Sequence, residues 1–436
     1  MKNLVSALTL IIFIVFANPI KAQFSIDAEI RPRVEANHGF RTLPVESSQT
    51  AYFVSQRTRL NLRYITDKFT TYISLQDVRL WGQEDWAHKT GLNSSSVGFN
   101  VSQAWFDWKF AENWGLKMGR QIWNYDDKRI LANRNWSQIG LSWDALLVHL
   151  DKDNFHFHFG SSFNNTNVSF NENDFVSEDN PYEEPLGFRI KYFNFVWMKF
   201  IISEKFSFSL AEYLASYLAA NTSSTLYTLS TAGLHINYHT KNIKILANAF
   251  YQYGNKISNK NGNAYMLTFS GNYKLNKIDV GLNVDYQSGK GDGNTQAFDL
   301  MYGARFKYYG WMNYYVLPGD TKDGGLVDLS PNIRWTIHEK HSLYAIYNFF
   351  WLATDVYSDL DGGDYSYLTK NLGAEIDLNY SYTYDKSFNI QFFFGYYFAT
   401  ETTEFVKNIE RGKSTSPYWA SIMLTFKPKF FSTAVK

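Results

Sequence analysis

Cysteine is missing from all 436 residues, which excludes a disulfide scaffold and thiolate metal sites. Beyond residues 1–22 no apolar run reaches the ~20 residues that a helical membrane span needs. Charge of one sign is not in excess either, since the net charge is +1. Removing Lys2 and Lys21 with the leader described below leaves 40 basic residues against 41 acidic, a net of −1. With no global basic field, nucleic acid is not an expected partner. No G-x-S-x-G, H-E-x-x-H or Walker sequence is present, so neither an enzyme activity nor a cofactor is expected. No blade-length repeat of a propeller is found.

What the chain has in excess is aromatic. Phe, Tyr and Trp number 36, 31 and 13 and make up 18% of the sequence, yet the chain is polar on average. A helical membrane protein would be apolar overall. A β-barrel turns only alternate residues to lipid, so its average stays polar while its interfaces collect aromatic girdles. At the start, Lys2 precedes an apolar core from Leu8 to Phe16, a break at Pro19 and a small residue at Ala22. This predicts a secretory signal peptide over 1–22, cleaved before Gln23. The core is too short for a membrane anchor.

Residues 52–81 set the pattern for the rest. Val54, Thr58, Leu60, Leu62 and Tyr64 share one parity, with Gln56 as the exception. Ser55, Arg57, Arg59, Asn61 and Arg63 share the other. Period-2 alternation sends these sets to opposite faces of a strand. Ile278, Val280, Leu282, Val284 and Tyr286 alternate with Asp279, Gly281, Asn283 and Asp285 in the same way. Tight polar turns are expected at 66–68, 111–113, 151–154, 203–205, 241–242, 276, 338–340 and 385–387. Longer breaks are expected at 35–50, 82–98, 124–142, 164–187, 218–226, 255–261, 289–325, 354–367 and 400–416. Short periplasmic turns and long extracellular loops are the layout of an outer-membrane barrel. Eight turns and nine loops join eighteen strands. The expected fold class is therefore all-β, a transmembrane antiparallel β-barrel over 23–426, followed by a tail at 427–436. Residues 295–317 read as one long loop, because Gly303, Gly310 and Pro318 punctuate them irregularly. Two further strands there would make twenty. A soluble sandwich or propeller would explain neither the leader nor the loop asymmetry.

Several segments resemble the alginate export family of outer-membrane proteins. They are the run from Phe24 to Arg33, Ser55-Gln56-Arg57-Thr58-Arg59-Leu60, Leu75 to Gly82, Gly119-Arg120-Gln121 and Tyr125 to Arg129. Trp136, Ser142-Trp143-Asp144-Ala145, Phe298 to Gly310 and Gly325-Leu326-Val327-Asp328 extend the likeness over nearly the whole mature chain. The resemblance implies an 18-stranded barrel with the region from Phe298 to Gly325 as a loop. It also implies an electropositive lumen, which in the founding member passes an anionic uronate polymer. The motifs specify the family's barrel more closely than its cargo.

The main candidate site is an arginine ladder. Arg31 and Arg33 share a parity on the first strand, and Arg57, Arg59 and Arg63 on the second. Side chains about 7 Å apart along each strand would form a basic lumenal wall. Arg79 joins them if Gln76-Asp77 forms a bulge that returns Val78 and Leu80 to lipid. Guanidiniums bind carboxylates bidentately, and rings of Arg make pores anion-selective. The opposing expectation is that Asp27, Glu29, Glu35, Asp77 and Asp107 neutralise these arginines in a structural network.

A second candidate is 119–144, where Arg120, Asp126, Asp127, Lys128, Arg129 and Arg134 lie among Trp123, Tyr125 and Trp136. Aromatic platforms beside charged groups can hold sugars; alternatively the loop packs into the barrel mouth and ties up its own charges. Asp126-Asp127 lacks the D-x-D-x-D-G spacing of a Ca2+ loop, and Asp359, Asp361 and Asp364 read as turn chemistry. His156 and His158 share a face in FHFHFG, but no third ligand is evident, so no metal is expected.

The function expected from these features is an outer-membrane channel for anionic or sugar-like solutes, acidic polysaccharide export among them. The alternatives are a plugged structural or surface-binding barrel and a non-selective nutrient porin. Expected partners are outer-membrane lipid and lipopolysaccharide, the solute itself and, for export, periplasmic proteins. The barrel is expected to be monomeric and to sit in the outer membrane of a Gram-negative bacterium.

Overall fold

Long alternating runs make long strands, and in lipid every backbone polar group must be paired internally, so the sheet has to close. The computed structural model describes residues 22–82, 98–163, 190–218, 226–256, 260–291, 295–357 and 365–433. Residues 1–21 of the expected leader, most of the break at 82–98, the break at 164–187, and Asp359, Asp361 and Asp364 lie outside the described residues.

The ladder starts with β1 (Gln23–His38), β2 (Ala51–Ile65) and β3 (Phe69–Leu80). It continues through β4 (Phe99–Lys109), β5 (Trp114–Gln121), β6 (Trp143–Asp151), β7 (Phe155–Phe163), β8 (Ile190–Ser203) and β9 (Phe206–Leu218). Next come β10 (Leu226–His239), β11 (Ile243–Lys256), β12 (Lys260–Leu275), β13 (Ile278–Gln287) and β14 (Leu326–His338). The last are β15 (His341–Trp351), β16 (Asn371–Thr383), β17 (Phe388–Phe398), β18 (Tyr418–Phe426) and β19 (Lys429–Ser432). Each strand pairs antiparallel with its sequence neighbour, except that β18 and β19 both return to β1. Residues 30–38 of β1 face β18, and Ser25 to Asp27 face β19. Those two are one strand interrupted at Lys427 and Pro428. Proline has no N–H for the ladder; its carbonyl instead accepts from the Ala28 N–H at 3.0 Å. The result is a closed barrel of 18 strands, and residues 429–432 of the expected tail belong to its seam.

The eight tight turns fall where the sequence places them, and 288–325 is a loop rather than two extra strands. The outer face follows the predicted parity: Val280, Leu282, Leu267 and Phe269 are exposed, while Asp285 opposite them is buried. Around the periplasmic turns aromatic rings run in a chain, from Phe69 to Trp108 (6.4 Å), Phe110 (5.7 Å), Trp114 (6.4 Å) and Phe157 (6.3 Å). Amphipathic rings at that level form the expected girdle.

The buried core lies inside the barrel rather than between sheets. Phe193, Phe195, Tyr213, Phe350 and Trp419 point inward and meet Trp123, Tyr125, Tyr309 and Tyr314 from two loops that fold into the lumen. These are 122–142, between β5 and β6, and 288–325, between β13 and β14.

Candidate functional site

Register gathers the arginines into one patch. Arg31 stands opposite Arg57, Glu29 opposite Arg59, Arg33 opposite Ser55 and Asp27 opposite Asn61. Two like charges directly across a ladder repel. Glu29 offsets part of this, accepting from Arg57 Nε at 2.8 Å and from its Nη2. The rest comes from the first inward loop, which turns backbone carbonyls onto the guanidiniums. Arg31 donates to the carbonyls of Asn135 (2.8 Å), Trp136 (3.2 Å) and Ser137 (2.9 Å) and to Gln138 Oε1 (2.9 and 3.0 Å). Arg57 donates to the carbonyls of Asn135, Ser137 and Gln138 at 3.3, 3.2 and 3.4 Å. Arg33 bonds Glu35 at 2.8 Å and lies over the Trp136 ring at 4.8 Å. Arg59 donates to Gln76 Oε1 at 2.7 Å and to Asn135 Oδ1 at 3.3 Å.

Arg31, Arg33, Arg57 and Arg59 thus meet the first inward loop and clamp it. Their neutralisation is shared between two carboxylates, Glu29 and Glu35, and peptide oxygens. Asp27 accepts from Asn61 at 2.6 Å, and Asp107 meets His149 at 3.1 Å, so neither serves the ladder. Arg63 is exposed, with no hydrogen bond or ion pair to a described residue.

Three expected members lie elsewhere. β3 pairs with β2 without a shift from Leu80 to Thr70, so no bulge forms at Gln76 and Asp77. Val78 is therefore lumenal and buried, and Arg79 leaves on the outer face. There it holds Asp77 at 2.6 and 2.8 Å, while Trp81 donates to Gln56 at 3.1 Å. This polar cluster near the extracellular rim accounts for Gln56 on the lipid parity. Arg120 shares the outward parity of the exposed Met118 and forms a forked ion pair with Asp144 at 2.8 and 2.7 Å. Arg79, Asp77 and Arg120 are therefore not lumenal.

The second group is drawn together, as a loop core. Arg129 is fully buried between Asp285 (2.8 Å), Asp127 (3.4 Å) and the Tyr309 hydroxyl (2.9 Å), with the Tyr308 ring 3.5 Å from its guanidinium carbon. Arg134 donates to the carbonyls of Gly303 (3.0 Å) and Met301 (2.8 Å) in the other inward loop. The two loops also share a bridge between Leu131 and Tyr302, and Trp136 stacks on Phe306 at 3.6 Å. Asp126 and Asp127 diverge. Asp126 accepts from Trp197 Nε1 (3.0 and 3.1 Å) and Ser209 (2.6 Å), while Asp127 accepts from Asn248 at 2.9 Å. Burial pushes the Asp126 carboxyl above its usual range. The two carboxylates do not converge on a shared cation position.

Sequence reasoning missed an acidic wall on β16, three strands round the ring from β1. Glu375 Oε1 accepts from the Met312 N–H at 2.7 Å, and Asp377 Oδ2 from the Trp311 N–H at 3.2 Å and Asn348 at 3.2 Å. Both carboxylates are buried. The signal was present: Glu375, Asp377 and Asn379 alternate with Ile376, Leu378 and Tyr380.

Between the loops and the barrel wall a cavity of about 1280 Å³ remains. It reaches from Phe40 and Arg41 to the turn at 240–242 on the periplasmic side. Eleven of its lining residues are Lys or Arg, and two, Asp127 and Asp279, are acidic. Arg33 and Arg129 apart, none of these cations makes an ion pair with a described residue. Lys244, Lys274 and Arg334 come from strands; Arg41, Arg305 and Lys307 come from loops. Burial lowers the Lys307 ammonium to about 8.

A closed 18-strand barrel with inward loops and a polar, hydrated-sized interior is the architecture of outer-membrane porins. Solved structures agree on this fold. Pseudomonas aeruginosa OpdO aligns with a TM-score of 0.61 at 10% identity, covering 94% of this chain and 98% of that one. Outer membrane protein OpdK of Pseudomonas aeruginosa gives 0.60 at 10% identity over 94% and 99% of the two chains. Acinetobacter baumannii OccAB4 gives 0.59 at 11% identity over 95% and 100%. No curated protein matches the chain. The model of the alginate export family matches residues 22–413, and the chain belongs to that family. It is an outer-membrane channel-type barrel of a Gram-negative cell envelope.

Proposed function

We propose that the barrel passes anionic or sugar-like solutes, acidic saccharides among them, through a cationic passage beside the two inward loops. The observation that carries this reading is the cavity lining, eleven cations against two carboxylates in a chain whose total charge is nearly balanced. A cation held in a narrow, low-dielectric lumen acts far more strongly on a passing anion than the same charge in bulk water. Aromatic and amide groups beside it, such as Phe306, Trp311, Asn332 and Asn379, suit a hydroxylated ring. In this reading the ladder sets the loop and the cavity cations set selectivity. The barrel does no chemistry of its own and works as a monomer in outer-membrane lipid.

The test is the reversal potential of the purified barrel in planar bilayers under a salt gradient. Wild type should favour anions, and Lys244→Gln with Lys274→Gln and Arg334→Gln should move the potential toward cations. A wild-type potential that already favours cations would sink the proposal. Faster liposome swelling with uronate oligomers than with neutral sugars of equal size would separate a selective pore from a general one.

A further inference from the structure

We propose that His149, Asp151 and His158, with His156 beside them, form a binding site for one Zn2+-class transition-metal ion at the periplasmic end of the lumen. The tight turn at 152–154 makes the site. Register across it sets His149 opposite His158 and Asp151 opposite His156, and alternation turns all four inward, away from the outward Phe155, Phe157 and Phe159. Their donor atoms converge on one carboxylate. His149 Nδ1 is 2.7 Å from Asp151 Oδ2, and His156 Nδ1 and His158 Nε2 are 2.7 and 3.2 Å from Asp151 Oδ1. The ligand atoms of His149, Asp151 and His158 all lie within 4.8 Å of one another. Donors at about 2.0–2.1 Å from a tetrahedral ion are about 3.3 Å apart, so a small inward shift of the rings suffices.

The outer partners point the same way. A metal-bound imidazole nearly always has its second nitrogen held by a carboxylate, a carbonyl or another polar group. Here His149 Nε2 meets Asp107 Oδ1 at 3.1 Å, and His158 Nδ1 meets the Tyr125 hydroxyl at 2.9 Å. Each ring therefore offers the nitrogen that faces Asp151 and has the other one fixed. Imidazole with one carboxylate selects Zn2+, Ni2+ or Cu2+ over Ca2+ or Mg2+, which prefer all-oxygen sets. The carboxylates of Asp107 and Asp151 give local negative charge that suits a dication once it has displaced the ring protons. The side chains are half-buried, and Asp151 keeps an exposed face through which an ion can enter. On binding, the ion replaces the protons shared between the rings and Asp151, and those protons go to solvent.

Calorimetric titration of ZnCl2 into the untagged mature barrel in detergent tests this. One equivalent should bind with net proton release. His149→Ala with His158→Ala should abolish that stoichiometric step, and Asp107→Asn should weaken it about 10–100-fold. His338→Ala, at a different turn, should leave it unchanged. Far-ultraviolet dichroism of each variant confirms that the barrel still forms. Should the double variant not fold, the absorption spectrum of Co2+ bound to wild type reads the donor set directly; an octahedral all-oxygen spectrum overturns the site. So does the absence of a one-equivalent step in wild type, or its survival in a folded double variant.

Discussion

The basic wall on β1 and β2 and the acidic wall on β16 hold the two inward loops by opposite halves of the peptide group. Arg31 and Arg57 grip residues 135–138 through carbonyl oxygens. Glu375 and Asp377 grip Trp311 and Met312 through N–H groups. In both places an ionisable side chain satisfies backbone that would otherwise be buried without a partner, which costs about 1–3 kcal/mol for each group left unmade. The walls differ in redundancy. The second loop is also tied by the Arg41 N–H to the Met312 carbonyl (2.9 Å) and by Lys407 to the Tyr314 carbonyl. Lys407 follows α1 (Glu401–Val406), in the loop before β18. The carbonyls of 135–137 in the first loop's tip have only arginine donors, while Gln138 donates to Ser55 Oγ (3.0 Å) and Gln76 to the Ile139 carbonyl (3.1 Å) beside them. Charge in the lumen is thus of two kinds: charge consumed in holding loops, and charge left facing the cavity.

The largest effect should come from breaking the basic wall. Arg57→Met removes the main partner of Glu29, with Lys427 3.6 Å away and exposed, and strips three loop carbonyls of a donor. Leaving one member of a buried pair costs about 3–5 kcal/mol. Glu375→Leu removes one acceptor from a loop with other ties, and should cost about 1–3 kcal/mol. Urea unfolding of the refolded barrels, followed by tryptophan fluorescence, measures both. In bilayers Arg57→Met should raise single-channel conductance as residues 132–138 come loose, and Glu375→Leu should raise it less. Equal losses at the two walls would break the contrast.

Much of this architecture was legible in the residues. Alternation and turn chemistry are local, so strand parity, the tight turns and the inward orientation of Arg31, Arg57, Asp285 and Lys244 could be read directly. What could not be read is what crosses the lumen. The carbonyls of 135–138 carry no side-chain signature, so a free arginine ring and a loop clamp look alike in sequence. Arg79 shows the converse error. Simple alternation of β3 turns it outward and only a bulge at Gln76-Asp77 would bring it in; the unbroken register with β2 leaves no such bulge. The partners of His156 and His158 come from across a turn, where pairing register rather than spacing decides proximity.

A smaller effect separates cavity charge from loop-holding charge. The Lys307 ammonium is lowered to about 8 by burial, while its Nζ donates to the Asp127 carbonyl at 3.0 Å. A lysine lowered in this way is charged below that value and neutral above it. Anion preference should therefore fall between about pH 7 and pH 9 as one cavity cation is lost. Lys307→Gln should lower the preference at pH 7 and flatten that step. A step of the same size in Lys307→Gln would assign it to another group and remove Lys307 from the selective set.

The smallest effect should come from the arginines that lie outside the lumen. Arg79 is 59% exposed at its side chain and holds Asp77 on the outer face, and Arg120 holds Asp144 there. Exposed pairs of this kind are worth about 0–1 kcal/mol. Arg79→Gln and Arg120→Gln should change unfolding by no more than that and leave reversal potential and conductance as in wild type. The comparison with Arg57 is informative because all three arginines sit within the same four-strand stretch of wall, β2 to β5, and differ chiefly in face. A selectivity shift in Arg79→Gln as large as that expected for Lys244→Gln would mean that the outer rim cluster, and not the lumenal lining, meets the solute first.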